Sequence, residues 1–136
     1  MISSYTLTNQ TVGVNEALNF NVNRIQTGCT VKHVDGTPSF ILTKPGYYFV
    51  TFNGTITDTA AGNVTVQLTN GDTPVPGATA SATIAAATDE QSVAFATIVR
   101  VLPSCCVIDN TTTLTFVITE TEATFSVANV NITKLC

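Results

Sequence analysis

The stretch Ser39 to Thr57, SFILTKPGYYFVTFNGTIT, constrains this chain more than any other. It reads as a strand, a Pro45-Gly46 turn and a long second strand. On the second strand Tyr48, Val50, Phe52 and Ile56 fall on one face. Tyr47 and Phe49 fall on the other, which then turns polar. A strand with a single dry face alternates apolar and polar residues. Apolar residues on both faces imply cover on both sides. Gln91 to Leu102 repeats the pattern, with Val93, Phe95, Val99 and Val101 on one side and Ala94, Ala96, Ile98 and Leu102 on the other. In a short all-β chain the second cover is most simply another copy of the same chain. The pattern therefore points to an assembly protein before it points to an enzyme.

Elsewhere the strands are one-sided. Leu18, Phe20 and Val22 alternate with asparagines, Val64, Val66 and Leu68 alternate with Thr65, Gln67 and Thr69, and Leu114, Phe116 and Ile118 alternate with threonine and valine. Short strands are expected at Val31 to Val34, Phe40 to Leu42 and Cys106 to Ile108, and a turn-rich loop over Gly71 to Gly77. Asn53-Gly54 marks a bend or an end in its strand. The final strand, from about Thr124 to Leu135, changes phase between Val127 and Val130, which predicts a bulge near Ala128-Asn129. No window holds a helical period. About eight to ten strands at short spacing, with turn signals between them, are the signature of a β-sandwich or jelly roll. The organisation read from this pattern is an N-terminal arm over residues 1–12, suited to docking on a partner chain, and a single jelly-roll domain over 13–136.

Composition narrows the function classes. Only 10% of the 136 residues are charged, 44% are apolar, and the mean hydropathy is +0.31. Threonine, with 26 copies, supplies an uncharged half-exposed pleat. The net charge of −4 and five scattered Lys and Arg residues leave no basic patch, which sets nucleic acid aside. No run approaches the length of a membrane span, and MISSYTLTNQ has no signal-peptide character. A cytosolic product released by lysis is expected.

No set of residues suggests catalysis, a cofactor or a metal. The lone His33 reads as a surface or internally satisfied residue with no nucleophile motif beside it. Asp35, Asp58, Asp72, Asp89 and Asp109 sit at turns, where aspartate caps its own backbone. Glu120 and Glu122 lie two apart and read as a solvated pair rather than a cation site, without calcium-loop spacing. Cys29, Cys105, Cys106 and Cys136 match no zinc pattern and are expected as buried thiols, with a bond from Cys105 or Cys106 to Cys136 left open. Sequons at Asn9, Asn53, Asn63, Asn110 and Asn131 are expected to be unglycosylated without a secretion signal.

The segment order resembles the tumour necrosis factor and complement-q globular-head jelly roll. Members carry a phrase close to F-x-x-x-x-P-G-x-Y-x-F at the start of the third main strand. Here Phe40 to Phe52 reads FILTKPGYYFVTF, with Tyr48 two places after Gly46. The phrase LTNGDTPVPGA, Leu68 to Ala78, is similar to a hairpin of bacterial and phage members. The resemblance spans roughly residues 14 to 135. It implies a compact homotrimer in which the first, third, sixth and last strands surround the three-fold axis. Carried over by position, Phe49 and Thr51 face the axis, while Tyr48, Val50 and Phe52 face the core with Leu114 and Phe116. One of the two rows of the sixth strand, Val93/Phe95 or Ala94/Ala96, is interfacial. Val93 and Phe95 are the assignment taken forward, with Phe125 and Val127 from the last strand. The function expected is a trimeric, non-enzymatic surface protein of a virion, a phage capsid decoration or head-fibre protein. It would attach to a capsid or other virion protein through the arm and bind a host glycan or protein through variable loops. The alternative is the trimerising head of a bacterial spore-surface or cell-surface collagen-like filament.

Overall fold

In the computed structural model, which describes residues 1–103 and 112–135, the chain folds into two antiparallel sheets packed face to face. The strands are β1 (Ile2–Tyr5), β2 (Gln10–Val12), β3 (Val22–Gln26), β4 (Val31–Lys32), β5 (Phe40–Leu42), β6 (Gly46–Thr57), β7 (Gly62–Asn70), β8 (Thr73–Ile84), β9 (Gln91–Val101), β10 (Thr112–Thr119) and β11 (Ala123–Lys134). One sheet has the order β3-β1-β11-β6-β9, with β2 also paired to β11. The other has the order β4-β5-β10-β7-β8. This is a jelly-roll sandwich, as the strand pattern implies. The expected segment Cys106 to Ile108 lies outside the described residues. No helix among the described residues is long and apolar enough to cross a membrane.

The core follows from alternation. Tyr48, Val50, Phe52 and Ile56 of β6 meet Val64, Val66 and Leu68 of β7 and Leu114, Phe116 and Ile118 of β10, all buried. The expected core residues Tyr48, Val50, Phe52, Leu114 and Phe116 are all in place. Phe116 is the hub of an aromatic cluster, with ring centroids 5.1 Å from Phe52, 5.8 Å from Phe20, 6.0 Å from Phe95 and 6.2 Å from Phe40. Such pairs add about 0.5–1.5 kcal/mol each beyond the area they bury. The buried Tyr48 hydroxyl donates to the Lys44 carbonyl at 2.7 Å, so its one polar group is satisfied.

Residues 1–12 are not an arm. β1 lies between β3 and β11, pairing Ile2 with Ile132 and Tyr5 with Asn129. β2 continues along the same side of β11, pairing Val12 with Ala123. Ile2, Ser3, Ser4, Thr6 and Val12 are buried. Without these strands β11 would present an unpaired edge and the sandwich would lose two apolar plugs. The jelly roll therefore starts at the first residues, not at residue 13.

Three local expectations also change. The loop expected over Gly71 to Gly77 is mostly strand, because β8 begins at Thr73 and a two-residue turn joins it to β7. Pro74 and Pro76 are tolerated because β8 is the outer strand of its sheet. Asn53-Gly54 neither bends nor ends β6. A Cβ on Gly54 would stand 3.1 Å from Phe125 Cδ1 and 3.2 Å from Phe52 Cζ, so glycine is there for room. Leu18 and Phe20 are buried as expected, but only isolated bridges, Ala17 to Val117 and Phe20 to Thr37, tie their segment to the sheet.

Candidate functional site

The outer face of the β3-β1-β11-β6-β9 sheet is where the two doubly apolar strands place their second rows. Register decides which row that is. Phe52 pairs with Phe95 and Gly54 with Val93, so Val93 and Phe95 share the inward face of Phe52. Phe49 pairs with Ile98, Thr51 with Ala96 and Asn53 with Ala94, so Ile98, Ala96 and Ala94 point outward. Val93 is buried and Phe95 stacks on Phe52 with centroids 5.5 Å apart. The assignment of Val93 and Phe95 to an interface is therefore corrected: they are core, and it is the alanine row with Ile98 that lies on the outer face.

The last strand divides similarly. Phe125 pairs with Ile56 and is fully buried, so it too belongs to the core and not to an interface. The register shifts between Phe125 and Val127, two or three residues before the expected bulge, and this turns Val127 outward. Val127 is 52% exposed, and Phe49 and Thr51 also lie on the outer face.

Rows across this face alternate in character along the strands. At one end Tyr47 (44% exposed) pairs with Arg100, whose guanidinium carbon sits 5.6 Å from the Tyr47 ring centre. Next, Phe49 (40% exposed) lies between Thr133 and Ile98 (56% exposed). Then Thr51 lies between Asn131 and Ala96, and Ser3 lies beyond Asn131. Asn53 follows between Asn129 and Ala94, with Tyr5 beyond Asn129. Val127 and Thr55 come last. The sequence reading did not carry Ile98 forward as an outer-face site residue and missed the asparagine rows altogether. The alternation of Asn129 and Asn131 with Val130 and Ile132 was the available signal.

The polar rows are ordered. The Asn131 side-chain nitrogen donates to Asn129 Oδ1 at 2.8 Å and to Thr51 Oγ1 at 3.3 Å. The Asn129 nitrogen donates to the Ser4 carbonyl at 3.3 Å. Ser3 Oγ is buried and has no hydrogen-bond partner. The opposite sheet is different. On its outer face Thr65 bonds Ser81 at 2.7 Å, and the Gln67 amide donates to the carbonyls of Leu68, Val75 and Ala78.

His33 is buried at the edge where the two sheets meet. Its Nδ1 stands 2.6 Å from Asn23 Oδ1, its Nε2 stands 2.8 Å from the Thr37 carbonyl, and its ring stacks on Phe40 at 4.3 Å. Burial lowers its pKa from the ordinary imidazole value, against the Thr37 carbonyl and the Asp35 carboxylate, which act to raise it. It closes the corner of the sandwich, and its hydrogen-bond partners among the described residues are an amide oxygen and a carbonyl, not a nucleophile. Glu120 and Glu122 are exposed at the β10–β11 turn. Among the described residues no three His, Cys, Asp or Glu side chains come together to hold a metal ion. Cys29 is exposed rather than buried, while Cys105, Cys106 and Cys136 lie outside the described residues.

No family model matches the chain, and no curated protein matches it. Solved structures do. A structure of Eiger TNF from S. frugiperda superposes with a TM-score of 0.72 at 12% identity, covering 99% of this chain and 92% of that one. Murine APRIL at pH 5.0 gives 0.66 at 8% identity, with 98% of both chains covered. PRD1 vertex protein P5 gives 0.63 at 14% identity, covering 99% of this chain and 96% of that one. The fold is thus the jelly roll of tumour necrosis factor-type proteins over the whole length.

Proposed function

We propose that this chain is a non-enzymatic structural protein that assembles as a homotrimer through the outer face of its β3-β1-β11-β6-β9 sheet and is displayed on a virion surface, as a phage capsid decoration or head-fibre protein. The observation that carries the reading is the exposed set Tyr47, Phe49 and Ile98, with Ala94 and Ala96, on two long neighbouring strands. A single protomer gains nothing from aromatic rings in water, and a contiguous apolar patch of this kind marks an association surface. In the proposed trimer the β3 side of the face on one copy meets the β9 side on the next, a head-to-tail contact that makes a ring when the rotation between copies closes. The place on a virion is supported by the likeness to the vertex protein named above and by the weakly charged, threonine-rich exterior.

Light scattering on a sizing column tests the assembly. A species of three chains of 14.3 kDa each, about 43 kDa, is expected, and a clean monomer at micromolar concentration overturns it. An antibody raised against the protein tests the display. It should label particles purified from a lysate of infected bacteria, and recovery of all the protein in the particle-free fraction refutes that part.

A further inference from the structure

The banding of this face carries more than association. Its rows run across the strands: an apolar belt at Tyr47, Phe49 and Ile98, then two polar rows holding Thr51, Asn53, Asn129 and Asn131, then Val127. We infer that the polar rows form a register band, which fixes the height at which neighbouring copies meet and so selects a closed ring over a sliding filament. This rests on the homotrimer reading above.

The argument is geometric. A rotation about an axis running along the strands carries a copy around that axis without moving it along the axis. Every row then faces its own height on the neighbour: belt against belt, amides against amides. A screw operation, which builds filaments, slides one copy and sets the apolar belt against amides. Burying an amide or hydroxyl without a partner costs about 1–3 kcal/mol. The amides therefore penalise the slid arrangement while being neutral toward the unslid one. Apolar belts alone do not discriminate, since hydrophobic contact is non-directional.

The local chemistry fits this role. Both N–H groups of the Asn131 amide are engaged, by Asn129 Oδ1 and Thr51 Oγ1, so its carbonyl oxygen is left to accept from outside the protomer. The same bonds hold the side chain in one orientation before any partner arrives. A single polar side chain within an otherwise apolar interface is the best-attested device for fixing register and oligomer number. Here Thr51, Asn53, Asn129 and Asn131 supply it, in the two rows that reach Ala96 and Ala94 on β9.

The full chain in two variants tests the inference, each checked for strand content by circular dichroism. Asn53 is exposed in the protomer, so Asn53→Asp is accommodated by the fold. It sets a carboxylate at one height in every copy. The variant is expected to trimerise like the parent chain near pH 4 and to need at least about tenfold more protein to do so near pH 8, because like charges repel in a covered interface. The same midpoint at both pH values overturns the inference. The double variant N53V/N131V removes one asparagine from each polar row and is expected to give mixed and larger species by native mass spectrometry. A double variant that remains a unique trimer also overturns it. Should the double variant misfold, Asn53→Asp decides alone. A monomeric parent chain refutes the trimer and the band together, whereas a trimeric parent with an indifferent Asn53→Asp refutes only the band.

Discussion

Phe49 and Phe52 are three residues apart on one strand, and they should fail in different ways. Phe49 is 40% exposed on the outer face. A phenylalanine covers about 150–250 Å² when fully buried, so roughly 80 Å² of Phe49 awaits a partner. At about 25 cal/mol per Å² this is worth about 2 kcal/mol per protomer, or about 6 kcal/mol per trimer. Phe49→Ala should weaken the trimer association constant by about four powers of ten. Because that constant scales with the square of free protomer concentration, the dissociation midpoint should rise about 100-fold. Phe52 is buried and stacks between Phe95 at 5.5 Å and Phe116 at 5.1 Å. Phe52→Ala should cost about 3–5 kcal/mol of protomer stability, the usual range for a core aromatic. The assay is a dilution series by light scattering, paired with urea unfolding below the trimer midpoint so that mass action does not contribute. A Phe49→Ala protein that dissociates at the parent concentration refutes the reasoning. So does one that loses as much protomer stability as Phe52→Ala.

Gly54→Ala should lower the urea midpoint by the equivalent of about 1–3 kcal/mol, because the added methyl meets Phe125 and Phe52 at 3.1–3.2 Å; an unchanged midpoint would show that the rings give way freely. Deleting residues 1–12 should abolish cooperative melting by circular dichroism, since it removes both partners from one side of β11 and the buried Ile2 and Val12, worth about 1.5–3 kcal/mol each; a deletion mutant that melts like the parent would refute the integral role of β1. His33 has a lowered pKa in the folded state, so the unfolded chain takes up the proton first as pH falls. Its stabilising share is complete above about pH 6.5, declines below that value and levels off beneath the folded-state pKa. Denaturant midpoints between about pH 7.5 and 5.5 should fall in the parent and stay flat in His33→Gln, and parallel curves would exclude the imidazole as the cause.

Period-two alternation made the sandwich legible, because a residue such as Leu68 or Phe116 has one dry side and no choice. Period two also sets its limit. On β9 both rows are apolar, and which row faces inward depends on pairing Phe52 with Phe95, a long-range fact that no window of β9 contains. The same holds for Phe125, where a bulge two residues from the expected place reverses the face. The first twelve residues misled for another reason. Ser3, Ser4 and Thr6 are polar and yet buried, since strands at the flank of β11 need backbone partners more than apolar side chains.

The two outer faces differ in what they leave undone, and that difference would give the proposed assembly its direction. On the β4-β5-β10-β7-β8 sheet, Thr65 with Ser81, Thr69 with Thr115, and Gln67 with three carbonyls satisfy one another across strands. That face is complete in the protomer and suits permanent contact with water, which lets the chain remain nearly uncharged without inviting further association. The other face sets exposed rings beside rows of asparagine. Water hydrates the amides but leaves Phe49 and Ile98 uncovered, and an apolar surface would cover the rings but strand Asn131, whereas a second copy at the same height would cover the rings and keep amides against amides. In the proposed trimer the apolar residues left exposed on one sheet are thus the ones that copies would cover, while the other sheet stays toward water.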